Sequence, residues 1–171
     1  RPRATVNGIG NASYCNGAPG AAVNFSSSSP GATFNWTSSA NVGFGLSGSG
    51  NIPAFTATNG RTSALSTTVT VTPSYAGCIG ASSTFTVTVN PTATVNTISN
   101  ASFCGGIPVG GTAFSSPSLG TSFSWTSSAN IGFGTSGSGN IGGYTTLNSS
   151  TTQVVSTINV TPSVGGCTGT S

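Results

Sequence analysis

The chain of 171 residues contains no Asp, Glu, His, Lys or Met, and its formal charge of +3 rests on Arg1, Arg3 and Arg61 alone. General acid–base catalysis needs a side chain that titrates near the working pH, and the usual donors are missing. Zinc, calcium and magnesium sites draw on His, carboxylates or thiolates. That leaves an all-thiolate zinc site, and the placement of the four cysteines as one pair in each half of the chain argues against it. The expectation is a protein that is not an enzyme and holds no cofactor or metal. Two of the three arginines sit at the N-terminus and no basic stripe follows any apolar run, so nucleic acid is not an expected partner. No apolar run approaches the roughly 18 residues of a spanning helix, so no membrane span is expected.

Scarce charge also removes the usual source of solubility. Ser, Thr, Asn and 26 glycines supply the polarity instead. Such a composition suits disorder in some chains, but the apolar residues here are strongly patterned, which points to a folded protein.

What is present is a unit written twice. Ala4-Thr-Val-Asn7 returns as Ala93-Thr-Val-Asn96, Cys15 as Cys104, Trp36 as Trp125, Pro73 as Pro162 and Cys78 as Cys167, a constant offset of 89 residues. About 45 of the 82 aligned pairs are identical without any insertion. A period of this length is a whole domain, which sets the expected boundaries at 1–91 and 92–171 and favours a structural array over a single active site. Arg1-Pro2 aligns with the Asn90-Pro91 join, so the chain reads as a mature or excised fragment. The second unit stops where the first continues through Ser83-Thr-Phe-Thr-Val-Thr-Val89. Unit 2 is therefore expected to lack its last strand, which either belongs to a longer array or is donated by a neighbouring molecule. The longer array is the favoured reading.

Alternation of period two runs throughout. Phe85, Val87 and Val89 fall on one face of their segment and threonines on the other; Val69-Thr-Val71, Ile158-Asn-Val160, Val23-Asn-Phe25, Phe34-Asn-Trp36 and Phe123-Ser-Trp125 follow the same rule. About seven short strands per unit are predicted, near 5–9, 21–26, 32–38, 52–58, 64–72, 74–79 and 83–90. Their number and one-sided apolarity predict an all-β chain of two tandem Ig-like antiparallel β-sandwiches. Pro73 and Pro162 are expected to end or bend their strands. The Asn90-Pro91 join is expected to be short and stiff, so that units stack end to end.

The simplest cysteine pairing is Cys15–Cys78 and Cys104–Cys167, because it can form identically in both units. Each bond would close a loop of about sixty residues, adding around 4 kcal/mol on the chain-entropy account, and would imply an oxidising, extracellular compartment. The alternative is two buried free thiols per unit. Trp36 lies between the cysteines in the Cys…Trp…Cys order of immunoglobulin cores, although Cys15 is expected at a strand edge or loop. Alternation with Phe34 makes Trp36 a core residue instead of a sugar-stacking platform; Phe123 and Trp125 read the same way.

The order Tyr14-Cys-Asn-Gly17, Phe34-Asn-Trp-Thr37, Gly48-Ser-Gly50, Val69-Thr-Val-Thr-Pro73, Gly77-Cys-Ile-Gly80 and Phe85-Thr-Val-Thr-Val-Asn-Pro91 resembles the PKD-like repeats of large Bacteroidota surface proteins. Phe103-Cys-Gly-Gly106, Phe123-Ser-Trp-Thr126 and Gly166-Cys-Thr-Gly169 continue the likeness in the second unit. The Trp-x-Phe-Gly-Asp-Gly turn of the better-known PKD pattern is missing. The resemblance implies Ig-like sandwiches in a secreted or surface-anchored array with adhesive or spacer roles.

Gly43-Phe-Gly-Leu-Ser-Gly48 and Gly132-Phe-Gly-Thr-Ser-Gly137 satisfy G-x-G-x-x-G, yet neither opens a helix nor precedes an acidic residue, so both read as glycine-rich loops. Asn-x-Ser/Thr sequons at Asn11, Asn24, Asn35, Asn100, Asn148 and Asn159 are glycosylation candidates, and covalent glycans would replace charge as a solubilising layer. The chain has no Lys to guard sheet edges, which favours self-association, head to tail or by strand donation. The functional expectation is an extracellular or cell-surface stalk, adhesin or fibre segment whose partner is itself. The alternatives are a carbohydrate-binding module using Tyr75 or Tyr144, and ice binding by the alternating Thr68, Thr70, Thr72, Thr86 and Thr88.

Overall fold

The computed structural model describes residues 3–170; Arg1 and Pro2, aligned above with the Asn90-Pro91 join, lie outside the described residues, as does Ser171. The chain is all-β, with no helix among the described residues. It divides into two compact units, Arg1–Pro91 and Thr92–Ser171.

Unit 1 contains β1 (Ala12–Cys15), β2 (Pro19–Gly20), β3 (Thr33–Ser38), β4 (Ser47–Ser49), β5 (Phe55–Thr56), β6 (Leu65–Tyr75), β7 (Cys78–Ile79) and β8 (Ser83–Asn90). The main sheet runs β1-β8-β6-β3-β4, with β7 also paired to β6, while β2 and β5 form a separate ribbon. All pairs are antiparallel except β1 with β8. Alternation decides which side faces in. Trp36, Val69, Val71, Phe85, Val87 and Val89 are buried, and Phe25, Val42, Ile52 and Ala57 from the opposite layer meet them in one core. This is a β-sandwich.

Unit 2 contains β9 (Pro108–Val109), β10 (Ser122–Ser127), β11 (Ser136–Ser138), β12 (Tyr144–Thr145), β13 (Ile158–Val164) and β14 (Cys167–Thr168). Its main sheet is β11-β10-β13-β14, beside a β9–β12 ribbon. The fully assembled core is smaller: Phe114, Trp125, Ile141 and Val160 are its buried members.

Several boundaries differ from the sequence reading. The segment near 5–9 is not a strand, although Val6 and Ile9 pack on the core; the first strand is Ala12–Cys15. Near 21–26 only an isolated bridge forms, Val23 with Ile52. Pro73 does not end its strand. β6 continues to Tyr75, with Pro73 opposite Phe34, and Pro162 sits opposite Phe123 in β13. The reason lies in the hydrogen-bond directions. Phe34 uses its carbonyl to accept from Gly50 N at 2.9 Å, on the β4 side, so nothing in the β3–β6 ladder asks Pro73 for an N–H. The Pro73 carbonyl still accepts from Gly80 N at 2.9 Å. The β6–β7 turn needs positive φ at both central residues, which Ala76 at 47° and Gly77 at 79° provide; unit 2 places Gly165 and Gly166 there.

The expected disulfides Cys15–Cys78 and Cys104–Cys167 do not form. Cys15 and Cys167 are disulfide-bonded, whereas Cys78 and Cys104 are free. Register supplies the reason. Cys15 ends β1 opposite Asn90, beside the Val89–Leu65 pair, while Cys78 lies opposite Tyr75 at the far end of β6. Ten residues of strand separate these ends, about 33 Å at roughly 3.3 Å per residue. A disulfide needs Cα atoms within about 7 Å.

Candidate functional site

The feature that distinguishes the two units is a groove in unit 2. In unit 1, β8 lies between β6 and β1, with Val69 opposite Phe85, Thr67 opposite Val87, Leu65 opposite Val89 and Ala12 also opposite Val87. Its three apolar side chains are at most 3 % exposed. The β6 residues Leu65–Thr68, which receive Val87 and Val89, correspond to Val154–Thr157 by the repeat, and β1 corresponds to Ala101–Cys104; Val69, opposite Phe85, corresponds to Ile158 at the start of β13. Neither segment is a strand in unit 2, and no counterpart of β8 occurs among its described residues. A strand is defined by its partner, and these two segments have none to bond among the described residues.

The result is a cavity of about 780 Å³ whose walls include Ile98, Phe103, Phe114, Val154, Ile158 and Val160. Phe103 is 48 % exposed and Val155 70 %. The equivalent apolar positions in unit 1 are covered. Ile9, Tyr14 and Leu65, the equivalents of Ile98, Phe103 and Val154, all pack against the core. The Phe25 ring lies 5.8 Å from Phe34 and 6.4 Å from Phe85; Phe114 keeps the first contact, with Phe123 at 5.8 Å, and faces the groove where the second would be.

Asn59 sharpens the comparison. It is 3 % exposed, and its Nδ2 donates to the carbonyls of Ser63 at 2.8 Å and Val89 at 2.7 Å, clamping the end of β8. Asn148, its repeat equivalent, donates to Thr152 O at 3.0 Å and is exposed beside the groove. The groove walls carry no charged side chain. An occupant with a buried charge would find no counter-ion there, so the site suits an uncharged strand with alternate apolar residues.

The other sequence-derived residues lie elsewhere. Trp36 and Trp125 are 4 % and 6 % exposed, and each meets a phenylalanine edge-on, Phe44 at 5.7 Å and Phe133 at 5.6 Å. Phe34 and Phe123 are half-buried against the same cores. All six sequon asparagines are exposed, with Asn35 and Asn159 on outward strand positions. Tyr144 stacks edge-on with Phe133 at 5.0 Å and belongs to the core wall. Tyr75 closes β6 and is half-buried. Thr68, Thr70, Thr72, Thr86 and Thr88 share the outer face of the main sheet, with Thr68 directly opposite Thr86. The glycine-rich loops are held from within: Asn41 Oδ1 accepts from Gly43 N at 2.9 Å and Gly45 N at 3.0 Å, and Asn130 repeats this with Gly132 and Gly134. Among the described residues no cluster of three metal-binding side chains occurs.

Sequence reasoning noted that the repeat equivalent of β8 falls beyond Ser171 but overlooked the Asn59 clamp. Its signal was available, because Asn59 and Asn148 are identical across the repeat while their neighbours Gly60 and Ser149 are not. Compared with known proteins, the chain matches no family model and no curated sequence.

Proposed function

We propose that this chain is a non-enzymatic structural segment of an extracellular stalk, adhesin or fibre, built from PKD-like units whose last strand, whether it follows in the same chain or comes from a neighbour, seats in a groove like that of unit 2. The groove of unit 2 carries the reading. Unit 1 supplies the pattern of the strand that fills such a groove, Phe-x-Val-x-Val, and burying each of those side chains is worth roughly 1.5–3 kcal/mol. Backbone ladders on both sides add directional pairing, as in β-strand addition generally. Oxidised cysteines support a compartment outside the cytosol.

A synthetic peptide of the Ser83–Asn90 sequence tests the strand reading. It should bind the chain saturably and raise the unfolding midpoint of unit 2, adding roughly 2.7 kcal/mol at about a hundred times its Kd. The same peptide with Phe85, Val87 and Val89 replaced by Asn should do neither. Equal behaviour of the two peptides would refute strand completion.

Glycans belong to the same proposal. Every sequon asparagine is exposed, and the chain has almost no charge to keep its surface solvated. Intact mass of native material should exceed the bare 16.5 kDa by whole sugar residues. A mass equal to the bare chain removes this part of the reading.

A further inference from the structure

We propose that Cys104 and Cys78 are the two halves of an intermolecular disulfide, the Cys104 thiol of one chain bonding Cys78 of a second copy. Three observations converge on them. Each unit holds one cysteine near each of its ends. In unit 1, Cys15 lies beside Asn90, where the unit finishes, and Cys78 lies at the β6–β7 hairpin, where Gly80 packs so tightly on the Ala4 carbonyl that a Cβ would collide with it. Unit 2 repeats the second arrangement with Cys167 on β14 and Gly169 against Ala93, and places Cys104 in the groove wall beside Val154 and Val155.

The second observation is the oxidation pattern. Of the two finishing-end positions, Cys15 is disulfide-bonded and Cys104 is free; of the two starting-end positions, Cys167 is bonded and Cys78 is free. Both free thiols therefore occupy positions that are oxidised in the sister repeat, and they comprise one of each type. The third is distance. Register rules out a Cys15–Cys78 bond within unit 1, as derived above, and in unit 2 Cys167 is disulfide-bonded while Cys104 is free; Cys104 is exposed and Cys78 half-buried, so both are open to a partner from outside. No Asp or Glu side chain adds charge repulsion to the approach.

The chemistry balances by exchange with a low-molecular-weight disulfide such as oxidised glutathione. The Cys104 thiolate attacks it and releases one glutathione thiolate; Cys78 of the second copy, losing its proton, then attacks the mixed disulfide and releases the other. Two protein thiols are oxidised and one glutathione disulfide is reduced to two thiols.

This inference extends the array reading to a covalent link and stands apart from strand completion, since thiol bonding and peptide binding are read separately. The test uses the purified chain in a glutathione redox buffer, followed by non-reducing electrophoresis and disulfide mapping. The wild type should form a ladder that reductant collapses, with Cys104–Cys78 cross-linked peptides. Cys78→Ser and Cys104→Ser should each remain monomeric alone, and their mixture should give heterodimer in at least tenfold excess over either homodimer. Wild-type chain with one of the two thiols alkylated checks the same point without substitution. Dimers of either variant alone at the level of the mixture, loss of both thiols in a monomer, or thiols that stay reduced would each overturn the proposal.

Discussion

Replacing Trp36 by alanine is expected to destabilise unit 1 by about 3–5 kcal/mol. Trp36 is the central inward residue of β3, opposite Val71 on β6 and Gly48 on β4. The indole lies over Gly48, where an added Cβ would come within 2.5 Å of Trp36 Cζ2, and the ring also meets Phe44 edge-on. Phe44 in turn meets Phe55 edge-on at 4.9 Å, so the cavity left by alanine would open beneath a chain of rings that cannot all shift together. Such rigid surroundings place the cost toward the upper end of the range, because little collapse offsets the lost contacts. Asn35→Ala, on the outward face of the same strand, is the control and should change stability by less than about 0.5 kcal/mol. Urea unfolding of unit 1 measures both; a loss below about 1 kcal/mol for Trp36→Ala would show that the ring chain can repack.

Gly43→Ala is expected to cost nearly as much, and clearly more than Gly45→Ala. Both glycines have positive φ, 124° and 97°, so alanine at either position carries backbone strain of about 1–3 kcal/mol. Only Gly43 has a second constraint: a Cβ there would collide with the Thr56 carbonyl oxygen on β5, whereas the space around Gly45 is open. Backbone cannot move aside as a side-chain tip can, so overpacking adds roughly 1–3 kcal/mol more. Gly132 and Gly134 repeat the pair, with φ of 127° and 93° and the Thr145 carbonyl in the blocking position. Urea midpoints of the two single variants provide the comparison, and equal shifts would show that strain alone governs the loop.

The Gly43 and Gly45 pair illustrates how much of this protein was legible before the fold. Their G-x-G-x-x-G spacing could be assigned to a loop because no helix or acidic residue followed. Which glycine touches another strand was invisible, because that contact joins residues thirteen positions apart through the sandwich. Pro73 shows a similar limit. Its missing N–H is a local property, but whether the ladder needs that N–H depends on the direction of the Phe34 carbonyl in a neighbouring strand. The cysteines show the largest gap. Repeat symmetry suggested bonds within each unit, and symmetry contains no distances.

The groove brings both sides together. Counting residues against the repeat placed the counterpart of β8 beyond Ser171, whereas the exposed Phe103 and Val155, the Asn148 amide bonded to Thr152 O and the wall segments outside any strand required a structure. Tyr14 and Phe103, or Leu65 and Val154, are near-equivalent letters in equivalent places, yet one member of each pair lies in a strand and the other does not.

By itself, the sequence determined the all-β class, the inward face of each alternating segment and the duplication, because side-chain period and composition are properties of a single stretch of chain. Tertiary structure alone decided where strands begin and end, which cysteines are oxidised and which residues line the groove of unit 2. Each of those is a relation between distant segments, and hydrogen-bond ladders, disulfides and cavities exist only once both partners are in place.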